Sequence, residues 1–501
     1  MINCLIILFV TLTESFSRFW QMKQAAFLSG VDAYYYALQI KFFVKTGALK
    51  IPDSSPLLHL MGWTAKLGLS YEHTIILWIV FIQFACFISI LIAYRLIHGK
   101  KYRSLFIAPI VTWVVLSPTL AFTCIEFPKY AFSFIFLPFW PVGMIHKRLW
   151  PVSIGAVILS CVSHLTMICI LALVLCGLLI AGITRMKSNR IKKPLLIAGS
   201  IGLVGSFGLI FGKFFLLSDL SRIHFQGLQP SLWTFFSRTG LPLLLKIEVL
   251  VGVIINVILI IWAIKGKSQN LVRFWTPFII FLLVVPLGSQ EVMGIPERLC
   301  LMLPLLTISS LMGVQINLSG LAKTLSYLGV CLALVVVALF PKLYLNWVHP
   351  DRLNPDYPLY DQVTTAIARR QIPMLIAHQG LNYYYKYKTM KESFPYEPEA
   401  HWPNGKIWRV VYGVTPSEWA YYLPEKFLWG SGLLFSLPGP YSLVREDCWE
   451  QFRKGVYSAA DDELKDLVFH SWLNPSERRP EFVRKRAEKD NDGEFSAYPE
   501  K

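Results

Sequence analysis

The sequence predicts a mostly helical, polytopic transmembrane bundle of about eleven spans, followed by an extracytoplasmic α/β domain. Three observations predict it. Apolar residues make up 54% of the 501 residues and charged residues only 16%, well under the roughly 25% of soluble proteins. Apolar runs near or above the ~20 residues that cross a bilayer recur along the first two thirds. Charge is also divided unevenly. Met1 to Pro341 holds 27 Lys and Arg against 9 Asp and Glu, and Lys342 to Lys501 holds 21 against 22. The formal charge of +17 therefore belongs to the first part alone. That excess is what cytoplasmic loops accumulate, and no basic stripe interleaved with aromatics points to nucleic acid.

The apolar runs come in order. Ile2 to Leu12 is short and lacks the basic start and small-residue cleavage site of a signal peptide, so it reads as a first span clipped at its beginning. Then come Thr74–Ile97, Leu105–Cys124, Tyr130–Ile145, Trp150–Ile183, Pro194–Leu217, Leu241–Ile264, Phe274–Gly288, Leu299–Ile316 and Leu321–Phe340. Trp150–Ile183 is long enough for two passes turning near Ser163-His164. Basic loops (98–103, 146–148, 185–193, 265–273 and Lys323) then alternate with mixed or acidic ones (14–73, 124–129, 218–240 and 289–297). The positive-inside rule puts the N-terminus in the cytoplasm and the C-terminal domain outside. The expected domains are 1–341 in the membrane with a long first outer loop 13–73, a soluble α/β domain 342–473, and a polar, disordered tail 474–501.

Within the soluble part, Tyr360–Arg370 reads as helix, Met374–His378 as a short buried strand, Leu381–Lys388 as helix, and Ile407–Val414 as strand ended by Thr415-Pro416. No Gly-rich phosphate loop follows the strand. Eight of the nine cysteines lie in or beside apolar runs, and Cys448 alone is in the tail, so no disulfide framework forms there.

Ionisable residues beside a bilayer are costly and tend to face a cavity or a partner. Here they gather on the outer side. The first outer loop carries Gly30-Val-Asp-Ala-Tyr-Tyr-Tyr36, in which Asp32 opens a segment to Gly47 with amphipathic helical spacing (Tyr35, Leu38, Phe42) suited to a membrane surface. The bland reading of Asp32 is a helix N-cap. The next outer loop, Cys124-Ile-Glu-Phe-Pro-Lys129, sets Glu126 and Lys129 at the mouth of two spans, as a loop ion pair or as a functional acid and base. His164 sits at the proposed outer turn, where a satisfied polar residue is the commoner outcome. Arg222, His224 and Arg238 lie in the loop 218–240, and Arg298 begins a later span, as an interfacial anchor or a phosphate fork.

Multiple spans, a long first outer loop with Asp soon after the first span, a second acid in the next outer loop, and a C-terminal outer domain together resemble the GT-C glycosyltransferases. The resemblance covers about Met1 to Pro341, and Gly30-Val-Asp32-Ala-Tyr-Tyr-Tyr36 is its most specific element. Ala33 follows Asp32 where protein mannosyltransferases have a second acid, and the Trp-Trp-Asp signature of oligosaccharyltransferases is missing from the tail. The resemblance therefore points to another bacterial branch, in the inner membrane.

It implies an inverting enzyme that takes a sugar from a polyprenyl-phosphate carrier to a lipid, glycan or protein acceptor on the outer face. It gives Asp32, with Glu126 as second acid, a role in acceptor activation or in holding a divalent cation. Lys129, Arg222, Arg238 and Arg298 are then candidates for the phosphate, and His164 and Tyr35 for substrate contacts. No nucleotide site is needed. Two other readings stay open. An O-antigen polymerase or ligase would use a late outer loop such as 218–240. A transporter or lipid flippase would bind at midplane, often with internal repeats, and neither repeats nor midplane charges are evident.

Overall fold

The computed structural model describes residues 12–99, 113–175, 231–237, 241–264, 270–284, 295–312, 356–395, 407–427 and 433–469, apart from isolated positions, together with the pairs 224–225 and 287–288. The chain is mostly helical, with one small mixed sheet towards its C-terminus. It divides into two compact units. A helical unit comprises Met1–Gln24 and Ile51–His349. A mixed-sheet unit comprises Ala25–Lys50 and Pro350–Lys501. The sequence boundary at 341 left Ala25–Lys50 with the membrane part; the fold takes this segment out of the first outer loop and builds it into the other unit.

In the helical unit, two helices among the described residues are long and apolar enough to cross a membrane: Tyr71–His98 and, within Leu243–Ile264, the stretch Leu243–Ile261. Ser70 starts the first, its hydroxyl accepting from His73 N, and Arg95 and His98 in the last turn suit the negative end of the helix dipole. On the second, Leu243, Ile247, Leu250, Ile254, Ile258 and Ile261 recur at three- and four-residue steps and are all exposed. The other side is tightly packed. A Cβ on Gly252 would meet Thr307 Oγ1 at 3.1 Å, and Asn256 Nδ2 donates to Thr307 Oγ1 at 2.6 Å. A small residue lets this helix approach Leu303–Met312, and the polar pair joins them.

Prolines break other apolar runs. Tyr130–Ile145 is not one continuous helix. It forms the helix Pro128–Phe134, a 3-10 turn Leu137–Phe139 and the short helix Val142–Ile145, because Pro138 and Pro141 remove backbone donors and clash with the preceding turn. Leu299–Ile316 is likewise divided into Ile295–Leu301 and Leu303–Met312, with Pro304 in the first turn of the second piece. The run Phe274–Gly288 gives the helix Asn270–Val284, after which Leu287–Gly288 pairs antiparallel with His224–Phe225. The helix Trp150–Ser163 ends where the sequence predicts a turn, with His164 in extended backbone. Residues 166–168 are helical again. The runs 2–12, 194–217 and 321–340, the beginning of the run 105–124, the end of the run 150–183, and the tail 474–501 lie wholly or largely outside the described residues.

The mixed-sheet unit holds a five-stranded sheet in the order Ser393–Pro395, Met374–Ala377, Ile407–Tyr412, Tyr441–Arg445, Leu434–Ser436. The first three strands are parallel, and the last two join antiparallel. The predicted helix–strand–helix–strand order is present as Tyr357–Ala368, Met374–Ala377, Gln379–Thr389 and Ile407–Tyr412. Thr415 then caps Pro416–Tyr422 in a reciprocal capping box with Glu418. The antiparallel strands and the helices Glu446–Ala459 and Asp462–Phe469 were not foreseen. One core, built on Trp419, Trp449 and Phe452, covers one side of the sheet. Arg409 and Glu446 form a buried ion pair there, with Arg409 Nε donating to Glu446 Oε2 at 2.6 Å. Burial raises the Glu446 carboxyl above its usual range despite the adjacent guanidinium.

The segment Ala33–Thr46 is the predicted amphipathic helix, with a different partner. Tyr34, Tyr36, Leu38, Ile40 and Phe43 are buried, against the expected place on a membrane surface. Tyr34 packs on Tyr357 and Tyr384 at ring centroid distances of 4.7 and 4.6 Å, and Tyr35 on Tyr383 at 5.2 Å. Lys41 lies over the Tyr387 ring and donates to its carbonyl oxygen. Gly30, at φ 107°, makes the turn before the helix, and Tyr357 Oη donates to its carbonyl at 2.8 Å.

Candidate functional site

The helical unit gathers four of the predicted residues around one proline corner. Ser117 caps the helix Pro118–Glu126, its hydroxyl accepting from Leu120 N. Phe127 leaves the helical conformation, as the residue before a proline is driven to do, and Pro128 starts the next helix. Glu126 and Lys129 are thereby fixed on either side of the bend. Glu126 is buried at 3% exposure. The Arg298 guanidinium stacks over the Phe127 ring at 4.1 Å, and Tyr130 Oη donates to the Arg298 carbonyl at 2.7 Å. His164 packs on the Tyr130 ring at 4.9 Å. Its Nδ1 accepts from Thr166 N at 3.2 Å, so the neutral ring carries its proton on Nε2.

Lys129 does not pair with Glu126 across the loop. Lys129 Nζ donates to Asp53 Oδ2 at 2.6 Å. Asp53 was not among the predicted site residues. It sits in Pro52-Asp-Ser-Ser-Pro56, where its Oδ1 also accepts from Ser55 N at 2.8 Å, just before the helix Pro56–Lys66. The signal that could have found it is this Asx turn between two prolines, which holds a carboxylate at the head of a helix. A second unassigned acid, Glu248, has a structural role. Its two oxygens accept from Trp113 Nε1 and Thr119 N, each at 2.8 Å, and so cap the start of Pro118–Glu126.

Asp32 and Tyr35 fall in the mixed-sheet unit. Asp32 stands at the N-cap position of Ala33–Thr46 without making a side-chain capping bond, so the bland reading fails in its usual form. Tyr35 Oη accepts from Gln39 Nε2 at 3.0 Å. Arg222 and Arg238 lie outside the described residues. Among the described residues no three His, Cys, Asp or Glu side chains gather to hold a metal ion. Asp32 and Glu126, the two acids to which the resemblance gives a cation, belong to different units.

Of the aromatics in the tail, Tyr384, Tyr385 and Trp419 are core and Tyr421 is exposed. Chemically, the proline corner offers two cations, one engaged by a carboxylate and one stacked on a ring, beside a buried acid and an imidazole. Such a set can hold a phosphate and bias a proton close to it. No protein-family model matches this chain, and no curated protein matches it in sequence.

Proposed function

We propose that the protein is a membrane glycosyltransferase of the GT-C kind, moving a sugar from a polyprenyl-phosphate carrier to an acceptor on the outer face of a bacterial inner membrane. The observation that carries this reading is the cluster of Lys129, Arg298, His164, Glu126 and Asp53 around the corner at Phe127. A leaving phosphate needs positive groups fixed before the reaction begins. Arg298 presents a planar fork whose orientation Phe127 sets, and Lys129 adds a point charge that Asp53 holds ready. The exposed apolar stripe on Leu243–Ile264 suits hydrocarbon better than water and supports the membrane setting, with further spans among the runs of the sequence. The resemblance assigns the acceptor base to Asp32, and Asp32→Asn tests that role by itself.

The test is transfer of label from radiolabelled polyprenyl-phosphate sugars by purified protein. Lys129→Gln and Arg298→Gln should each lower transfer by about 10- to 100-fold, as loss of a charge-assisted contact does. Flux of labelled lipid across liposomes without covalent transfer would replace the enzyme by a flippase.

A further inference from the structure

A second polar site lies within the mixed-sheet unit. On the helix Tyr357–Ala368, Asp361, Thr364, Thr365 and Ala368 stand at i, i+3, i+4 and i+7 and share a face. With Arg369 at the helix end and Lys388 from the last turn of Gln379–Thr389, they line an open groove of about 360 Å³. That is within the range of small-ligand sites, roughly 300–1,000 Å³.

The charges in this groove are not balanced internally. Tyr384 Oη donates to Asp361 Oδ1 at 2.5 Å, and Lys388 Nζ reaches the same oxygen at 3.4 Å. The Arg369 guanidinium has no ion pair or hydrogen bond among the described residues, which leaves one positive charge unanswered. Thr364 is only 4% exposed, and its hydroxyl has no hydrogen-bond partner among the described residues. A buried hydroxyl without a partner costs free energy that a ligand oxygen would recover. No aromatic ring lines the groove. Recognition here therefore runs through charge and hydrogen bonds, not ring stacking.

We propose that this groove binds a saccharide residue bearing a carboxylate or a phosphate. Arg369 takes the anion in a bidentate fork, and Lys388 adds the second cation. The Asp361 carboxylate and the threonine hydroxyls take the ring hydroxyls. The proposal stands apart from the transfer reaction, because binding here can fail while transfer stands, and the reverse.

The test is titration of the full chain in detergent with glucuronate, glucose 6-phosphate, glucose and inorganic phosphate, read by isothermal titration calorimetry. At least one acidic sugar should bind about tenfold or more tightly than glucose, and the one that does identifies the acid. Arg369→Gln and Lys388→Gln should each weaken it about tenfold without moving the unfolding temperature. Thr364→Val should weaken it less. Equal binding of glucose, inorganic phosphate binding as tightly as the acidic sugar, full affinity in Arg369→Gln, or no binding at all would each overturn the proposal.

Discussion

The two halves of the segment between residues 25 and 66 differ in one instructive way. Both are short amphipathic helices with an aspartate at or just before the start, Asp32 before Ala33–Thr46 and Asp53 before Pro56–Lys66. The first joins the mixed-sheet unit through tyrosine rings. The second stays with the helical unit, where its aspartate holds Lys129. Nearness in sequence did not choose the partner. The Tyr34 ring, which has three aromatic neighbours, did. A large ring buried among others contributes both area and favourable edge contacts.

The largest expected effect removes that ring. Tyr34→Ala should cost the mixed-sheet unit about 3–5 kcal/mol, as loss of a buried aromatic does. Hydrogen exchange read by mass spectrometry should show faster exchange in Gln379–Thr389 and Met374–Ala377. Leu243–Ile264 should keep its protection. Equal loss in both regions would mean that the segment is not specific to the mixed-sheet unit.

A change on the other side of the comparison comes next. Gly252→Val places a branched side chain where a Cβ already meets Thr307 Oγ1 at 3.1 Å and the Leu303 carbonyl carbon at 3.5 Å. It should cost the helical unit about 1–3 kcal/mol by overpacking. The same exchange measurement should now deprotect Leu303–Met312 and leave Gln379–Thr389 unchanged.

What could be read from the sequence follows from the range over which each signal acts. The helices Tyr71–His98 and Leu243–Ile264 were legible because unbroken apolar character is a local property. The division of Tyr130–Ile145 was not, because hydropathy does not register Pro138 and Pro141. Glu126, Lys129, His164 and Arg298 were legible as polar residues at the ends of apolar runs. Asp53 was missed because Pro52-Asp-Ser-Ser-Pro56 has the composition of an ordinary turn. The pairing of Ala33–Thr46 with Gln379–Thr389 spans more than 300 positions, and nothing local in either segment specifies it.

The aspartate that stays with the helical unit gives a smaller effect. Asp53→Asn removes the charge opposite Lys129 in a pair that is partly open to solvent. It should cost about 1 kcal/mol in thermal unfolding. If Asp53 holds Lys129 ready for a phosphate, sugar transfer should fall more than stability does. An unchanged transfer rate would reduce Asp53 to a turn residue.

The smallest effect sharpens the comparison where Ala25–Lys50 ends. Burial and the Lys50 ammonium both lower the Lys386 pKa from 10.5, with burial the larger cause and Glu392 opposing it. The folded state therefore binds fewer protons than the unfolded one between the lowered value and 10.5. In that window stability rises with pH, and below it the charged ammonium weakens the fold. Lys386→Met removes the ionisation. The unfolding temperature of the unaltered protein should gain on that of Lys386→Met as the pH rises towards 10.5. Adding Lys50→Met should shrink the gain, because the repelling charge comes from the segment that crossed from the first loop into the mixed-sheet unit. A gain of the same size with and without Lys50 would leave burial as the only cause.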